Sequence, residues 1–190
     1  VPTLFRAYDI TFEVVRQGIA SPVNVSHSAV GKLLEAVGLR RPILRLLNRR
    51  FQRHELSILR RFDRVLCFSR EDQRAFQRHG VSTSVVTLPM AVVDVPPHRS
   101  RPEEPFRIAF VASFSYLPNV DALFYLLREI VVELPGSLAW QLDVAGAHLP
   151  GFAATLAPEK KVRFCGYVES LDDFLARADA FVVPLRFGGE

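Results

Sequence analysis

The sequence predicts an α/β protein built from two doubly wound parallel-sheet domains, and three observations carry that prediction. Apolar runs of strand length alternate with stretches whose apolar residues recur at helical spacing. Strands and helices alternating through short loops imply parallel pairing with right-handed crossovers. Small residues follow the strand runs of the second half: Ser113 after Ala112, Gly146 after Ala145, Gly166 after Cys165, and Gly188-Gly189 beyond Val183. Residues 96–105 (PPHRSRPEEP) form a proline-rich, charged connector without apolar periodicity, the composition of a domain linker. The expected organisation is a first domain over 1–95, a linker over 96–105 and a second domain over 106–190, with both domains incomplete.

The first half opens on VPTLFRAYDI, a short strand pattern that starts at Val1 without an initiating methionine, so a fragment is expected. A Gly/Ser/Pro-containing segment covers Gly18 to Ser28, and a basic helical region follows from about Ile43 to Phe62. Asp63 to Ser69 (DRVLCFS) reads as a strand. Ser69 is the expected N-cap of a helix from Arg70 to His79, with Asp72 completing an approximate capping box and Gly80 as the stop. Ser84 to Leu88 is a third strand, leading into Pro89-Met90-Ala91.

In the second half, Arg107 to Ala112 is an unbroken apolar run between Pro105 and Ser113, the pattern of a strand covered on both faces. The period then changes. Pro118-Asn119 marks a helix start, and Val120, Leu123, Phe124, Leu127 and Ile130 keep helical spacing until Pro135-Gly136. Strands are expected at Trp140–Ala145, Lys161–Cys165 and Ala180–Val183, with short helices at Phe152–Leu156 and Leu171–Arg177.

At 190 residues and 49% hydrophobic content the chain can bury a substantial core. Net charge is +4, and the cationic side chains are arginines except for Lys32, Lys160 and Lys161. Cys67 and Cys165 sit in apolar strand-like runs without metal-ligand spacing, so both are read as reduced, buried thiols of a cytosolic protein. No stretch approaches the roughly 18 apolar residues of a membrane span, and the first residues lack the features of a signal peptide. The histidines 27, 54, 79, 98 and 148 show neither metal spacing nor a nucleophile partner and read as exposed or helix-end residues.

Ligands of open parallel sheets lie at the carboxyl ends of strands, so the loops after Ala112, Ala145, Cys165 and Val183 are the candidate site. Small residues there allow close approach to the backbone. The loop Ser113 to Leu117 faces a helix N-terminus, where free amides and the helix dipole favour an anion such as a diphosphate.

The order FVASFSYLPNVDAL, DVAG, then VRFCGYVESLDDFLARADAFVVPLRFGG resembles the C-terminal, donor-binding domain of GT-B glycosyltransferases of group 1, the retaining, family-four-like type. The upstream RFDRVLCFSREDQRAF, followed by a strand and LPMAVV, is similar to the end of that family's N-terminal, acceptor-side domain. The resemblance implies a GT-B-like pair of Rossmann-like domains, both cut short, with residues 1–95 ending the first and 106–190 beginning the second. It implies transfer of a sugar from a nucleotide-sugar donor to a glycan, lipid-linked or other acceptor in polysaccharide or glycoconjugate synthesis. The resemblance also implies that no cofactor and no bound metal are required. By the same analogy Tyr167 and Val168 lie against the base, and Ser113 and Phe114 line the diphosphate and sugar end. Gly146 belongs to the same rim, and Arg186 with Gly188 and Gly189 holds the pyrophosphate, consistent with a departing diphosphate's need for cationic and amide donors.

Departures from the family pattern are informative. Many members carry a Glu, seven residues and a second Glu after this strand; Gly188 stands where the first would fall, and Glu190, with one residue of context, is assigned neither role. The family's opening strand and glycine-rich acceptor loop are also missing, so the 190-residue fragment is expected to be inactive by itself. No catalytic residue is assigned. Arg6 and Asp9 in RAYDITFE are the candidates, with Tyr8 where the family often has His.

Nine arginines between Arg40 and Arg64, against Glu55 and Asp63, read first as a solvated helix face and second as a surface for an anionic membrane. Nucleic acid is not an expected partner, because no aromatic platform or recognised motif accompanies the charge. The expected location is cytoplasmic, or peripheral to the inner face of the membrane. The alternatives are a non-catalytic nucleotide-sugar-binding or scaffolding module of GT-B shape and, less well supported, a nucleotide-sugar epimerase, for which no acid/base pair can be found.

Overall fold

A computed structural model describes residues 4–6, 11–20, 38–81, 84–89, 105–157 and 161–188. The expected linker lies outside these residues except for Pro105. The chain divides into two compact units, Val1–Val93 with Phe187–Glu190 and Asp94–Arg186.

The first unit holds a three-stranded parallel sheet in the order β1-β2-β3, formed by Leu4–Arg6 (β1), Arg64–Cys67 (β2) and Ser84–Thr87 (β3). Its helices are Thr11–Ala20 (α1), Arg40–Leu59 (α2) and Arg70–Arg78 (α3). Sequence pattern did not predict α1: Val14, Val15 and Gly18 are weak helix formers, and the segment packs beside α2 instead of standing on local propensity. Helix α2 starts earlier than its apolar spacing suggested, because Pro42 is tolerated in a first turn. Its last turn tightens through Arg61 N–H to Ile58 O (2.9 Å) and Phe62 N–H to Leu59 O (3.2 Å).

Only the end of α2 enters the core. Leu56 and Leu59 pack there with Val65, Cys67, Phe76 and Val85, while Leu46, Leu47 and Phe51 are exposed. Both ends of α3 are closed as the sequence predicts. Ser69 Oγ accepts from Asp72 N–H at 3.0 Å. At the other end Gly80 takes a φ of 71°. Gly80 N–H reaches Gln77 O at 3.0 Å and Val81 N–H reaches Phe76 O at 3.1 Å, a Schellman closure. Phe76 and Val81 are both buried beside that turn.

The second unit is a four-stranded, wholly parallel sheet in the order β6-β5-β4-β7. Its strands are Phe106–Val111 (β4), Trp140–Ala145 (β5), Val162–Gly166 (β6) and Ala180–Phe181 (β7). Strand β5 is the most enclosed, with Trp140, Leu142, Val144 and Ala145 buried. Asp143 is buried there too and takes two hydrogen bonds from Arg163 directly opposite on β6, at 3.0 and 2.6 Å. Leu117–Tyr125 (α4) continues as a π-helical turn over Leu126–Ile130 and a 3₁₀ turn over Val131–Glu133, so the predicted helix spans the expected length with a change of winding inside it. Phe152–Leu156 (α5) packs against it, with Phe124 and Phe152 edge to face at 5.7 Å. Leu171–Leu175 (α6) is capped by Ser170, which accepts from Asp173 N–H at 3.2 Å.

The predicted strand at Ala180–Val183 shortens to two residues because Pro184 has no N–H to continue the ladder. Val182 N–H still reaches Ala109 O at 2.9 Å. Both cysteines are free thiols, and burial pushes each above its ordinary range. Cys67 is buried as expected; Cys165, on the edge strand β6, is only half-buried.

The Ser69 cap gives a direct check on the first unit. Ser69→Ala removes the side-chain acceptor capping α3, and a loss of about 1 kcal/mol in urea unfolding is expected.

Candidate functional site

Strand order locates the site. From β4 the chain moves outward to β5 and β6, then crosses to the other side of β4 to form β7. The direction of winding therefore reverses between β4 and β7. In open parallel sheets a crevice forms at such a reversal, beyond the carboxyl ends of the two strands. Here its walls are the loop from Ala112 to Tyr116 and the chain from Val182 to Arg186.

Loop Ala112–Tyr116 is held from beneath and from the side. Ala112 N–H bonds Ala145 O at 3.0 Å, and Phe114 N–H bonds Ala147 O at 3.1 Å. The Phe114 ring is buried edge to face against Phe110 at 6.0 Å, so it packs into the core instead of lining the rim. Ser113 and Ser115 are exposed, with their hydroxyls 2.8 Å apart. Asn119, within the first turn of α4, reaches back and donates to Ser113 O at 2.9 Å. Helix α4 itself begins after Tyr116 with no side-chain cap.

Gly146 sits where two loops touch. A Cβ there would lie 1.8 Å from the Ala112 carbonyl oxygen and 3.1 Å from the Phe114 ring, and its φ is 145°. Only glycine fits this close approach. Gly146 N–H also donates to Gly166 O at 2.7 Å, linking the ends of β5 and β6. Gly166 takes a φ of 67°, after which Tyr167 is 78% exposed and Val168 half-buried. Two strand spacings, about 10 Å, separate the end of β6 from that of β4.

The other wall is fastened by charge. At the start of β7, Arg107 N–H donates to Asp179 Oδ2 at 2.7 Å and Asp179 N–H donates to Arg107 O at 2.8 Å. At its end, Arg186 donates from Nε to Asp121 Oδ2 (2.9 Å) and from Nη2 to Asp121 Oδ1 (2.7 Å). Asp121 lies on α4 and is fully buried; the Arg186 side chain keeps 36% of its exposure. The guanidinium also covers the Tyr125 ring at 4.9 Å. Hydrogen bonding to Asp121 raises the Arg186 pKa further above its ordinary value.

Of the residues singled out from sequence, Ser113, Phe114, Gly146, Tyr167, Val168 and Arg186 all lie along one carboxyl edge of this sheet. Gly188, with φ 137°, groups with the first unit, and Gly189 lies outside the described residues. Asp9 is also outside them, and Arg6 is described only as backbone at the end of β1. Among the described residues, no three His, Cys, Asp or Glu side chains form a metal-holding group. Sequence reasoning missed Asp121 and Tyr125. The available signal was an aspartate beside Val120 and Ala122 on an otherwise apolar helix. It also missed the left-handed His148 (φ 62°) in the loop after β5.

Replacing Gly146 with alanine is expected to destabilise the second unit by at least about 2 kcal/mol, since strain and a backbone clash add. Thermal or urea unfolding checks this.

Residues 105–190 match the family described as "Glycosyl transferases group 1". No curated protein matches the chain in sequence. Among five solved chains that match in structure is the "Crystal Structure of TarM", at a TM-score of 0.57 and 11% identity, covering 73% of this chain and 28% of that one. That likeness shows a shared fold, α/β with parallel sheets of Rossmann-like, GT-B type. The chain spans little more than a quarter of that protein's length. Over residues 105–190, the stretch that builds the switch-point edge, the chain is similar to the group 1 glycosyl transferases.

Proposed function

We propose that the protein transfers a sugar from a nucleotide-sugar donor to a glycan, lipid-linked or other acceptor in polysaccharide or glycoconjugate synthesis, with retention at the anomeric carbon and without a required cofactor. The observation that carries this reading is the continuous carboxyl edge from Gly166-Tyr167 on β6 to Ser113 on β4 and Arg186 beyond β7. The stretch of about 10 Å between the ends of β6 and β4 suits an extended nucleoside diphosphate, with Arg186 one strand beyond. The exposed Tyr167 offers a face for a base. Ser113 and Arg186 offer donors to phosphate oxygens at the other end, where the dipole of α4 also favours an anion. Charge developing on the leaving diphosphate would be met by these fixed donors, the arrangement that lowers a transfer barrier most.

A second reading, a donor-binding module that does not catalyse transfer, is favoured by Gly188 where many resembling enzymes have an acidic residue. Both readings require nucleotide binding. On the full-length protein, a saturating nucleoside diphosphate at 100 times its Kd is expected to stabilise the native state by about 2.7 kcal/mol. Thermal unfolding against UDP, GDP and ADP measures it, and indifference to all three would sink both readings. Release of free nucleotide from a nucleotide-sugar with acceptor extract then separates transfer from binding alone.

The basic helix supports a peripheral location on the cytoplasmic membrane face. Leu46, Leu47 and Phe51 are exposed among Arg45, Arg49, Arg50 and Arg53, the composition of an interfacial helix. Binding to phosphatidylserine vesicles should exceed binding to phosphatidylcholine vesicles and fall with salt. Each Arg→Gln change on α2 should weaken it several-fold, from about 1 kcal/mol per basic residue. Equal sedimentation with both vesicle types would refute the membrane assignment.

A further inference from the structure

We propose that Asp121 and Tyr125 are positioning residues, which set the Arg186 guanidinium at the switch-point crevice so that it can meet a phosphate oxygen; this rests on the donor-binding reading above. Asp121 is an odd choice for its place. It lies with no exposure on the face of α4 that also buries Val120, Ala122 and Leu123. A carboxylate there must be desolvated, and an apolar side chain of similar size often serves stability as well as a buried ion pair does. The pair therefore calls for a reason besides stability.

Its geometry supplies one. A free arginine side chain samples many rotamers. Two parallel hydrogen bonds to Asp121 and stacking over Tyr125 at 4.9 Å leave Arg186 one orientation. The bonds use Nε and Nη2, so the Nη1 edge of the fork takes no part in the pair. The side chain remains 36% exposed and reachable from solvent. Asp121 and Arg186 are 65 positions apart, one on the helix that follows the first wall and the other at the end of the second, so the contact sets the guanidinium and ties the second wall to that helix. Because Asp121 cancels the arginine charge, Arg186 offers an oxyanion directed N–H groups more than net charge. Diphosphate affinity that depends on this pair should accordingly fall only weakly with salt.

The test compares nucleoside with nucleoside diphosphate on the full-length protein, using calorimetry with UDP, GDP and ADP and with uridine, guanosine and adenosine. Asp121→Asn keeps the shape of the side chain but not its charge. It should weaken diphosphate binding roughly tenfold or more while leaving nucleoside affinity unchanged. Asp121→Glu should recover part of that loss. The paired variant D121L/R186M replaces the ion pair with apolar groups, should remain folded, and should show the same selective loss. It carries the test if Asp121→Asn fails to fold. Wild-type diphosphate affinity in D121N or in D121L/R186M would overturn the proposal and leave the pair a structural tie. A wild-type protein that binds no diphosphate would overturn the donor-binding reading and this proposal with it.

Discussion

The ion pair between Asp121 and Arg186 is the interaction on which the candidate site depends. It joins the helix after β4 to the chain after β7 across the point where the sheet reverses its direction of winding. Strand β7 is short and lies at the sheet edge, so its backbone ladder to β4 is a weak anchor for residues 182–186. Asp179 holds the amino end of that strand against Arg107, and Arg186 holds the segment beyond its carboxyl end. Removing Arg186 costs about 3 kcal/mol or more, because the buried Asp121 carboxylate is left without its guanidinium partner. Stability alone does not require charge at this place.

Close backbone approach is the second constraint. The loop after β4 can lie against the loop after β5 only because Gly146 has no Cβ to meet the Ala112 carbonyl. That contact lets Phe114 drop into the core against Phe110 and leaves Ser113 exposed at the rim. One small residue thus decides which neighbouring groups face the core and which face solvent. The glycine serves the fit of protein to protein there.

Much of the fold was legible because parallel sheets have a strong pattern: buried apolar runs, small residues at their carboxyl ends, and helices between. Trp140–Ala145 and Phe152–Leu156 fall where the pattern put them. The Ser69 cap and the Gly80 stop are local chemistry and were readable for that reason. Helix α1 was not, since its β-branched residues and glycine carry a weak signal and its packing partner is distant in sequence. The π turn after Tyr125 leaves apolar spacing almost unchanged and was invisible as well. For the site, loop positions followed from strand ends, but the Asp121–Arg186 pair did not, because strand order is needed to bring positions 65 apart together.

The central claim is that a nucleoside diphosphate lies along the carboxyl edge of the second sheet. Amide hydrogen exchange on the full-length protein, with and without a saturating nucleoside diphosphate, reads this directly. The account predicts slowed exchange in the loop 112–117, at residues 166–168 and in the segment 182–186, with the amino ends of β4 and β5 unchanged. Protection at those amino ends, or none at all in the three loops while nucleotide is bound, would contradict it.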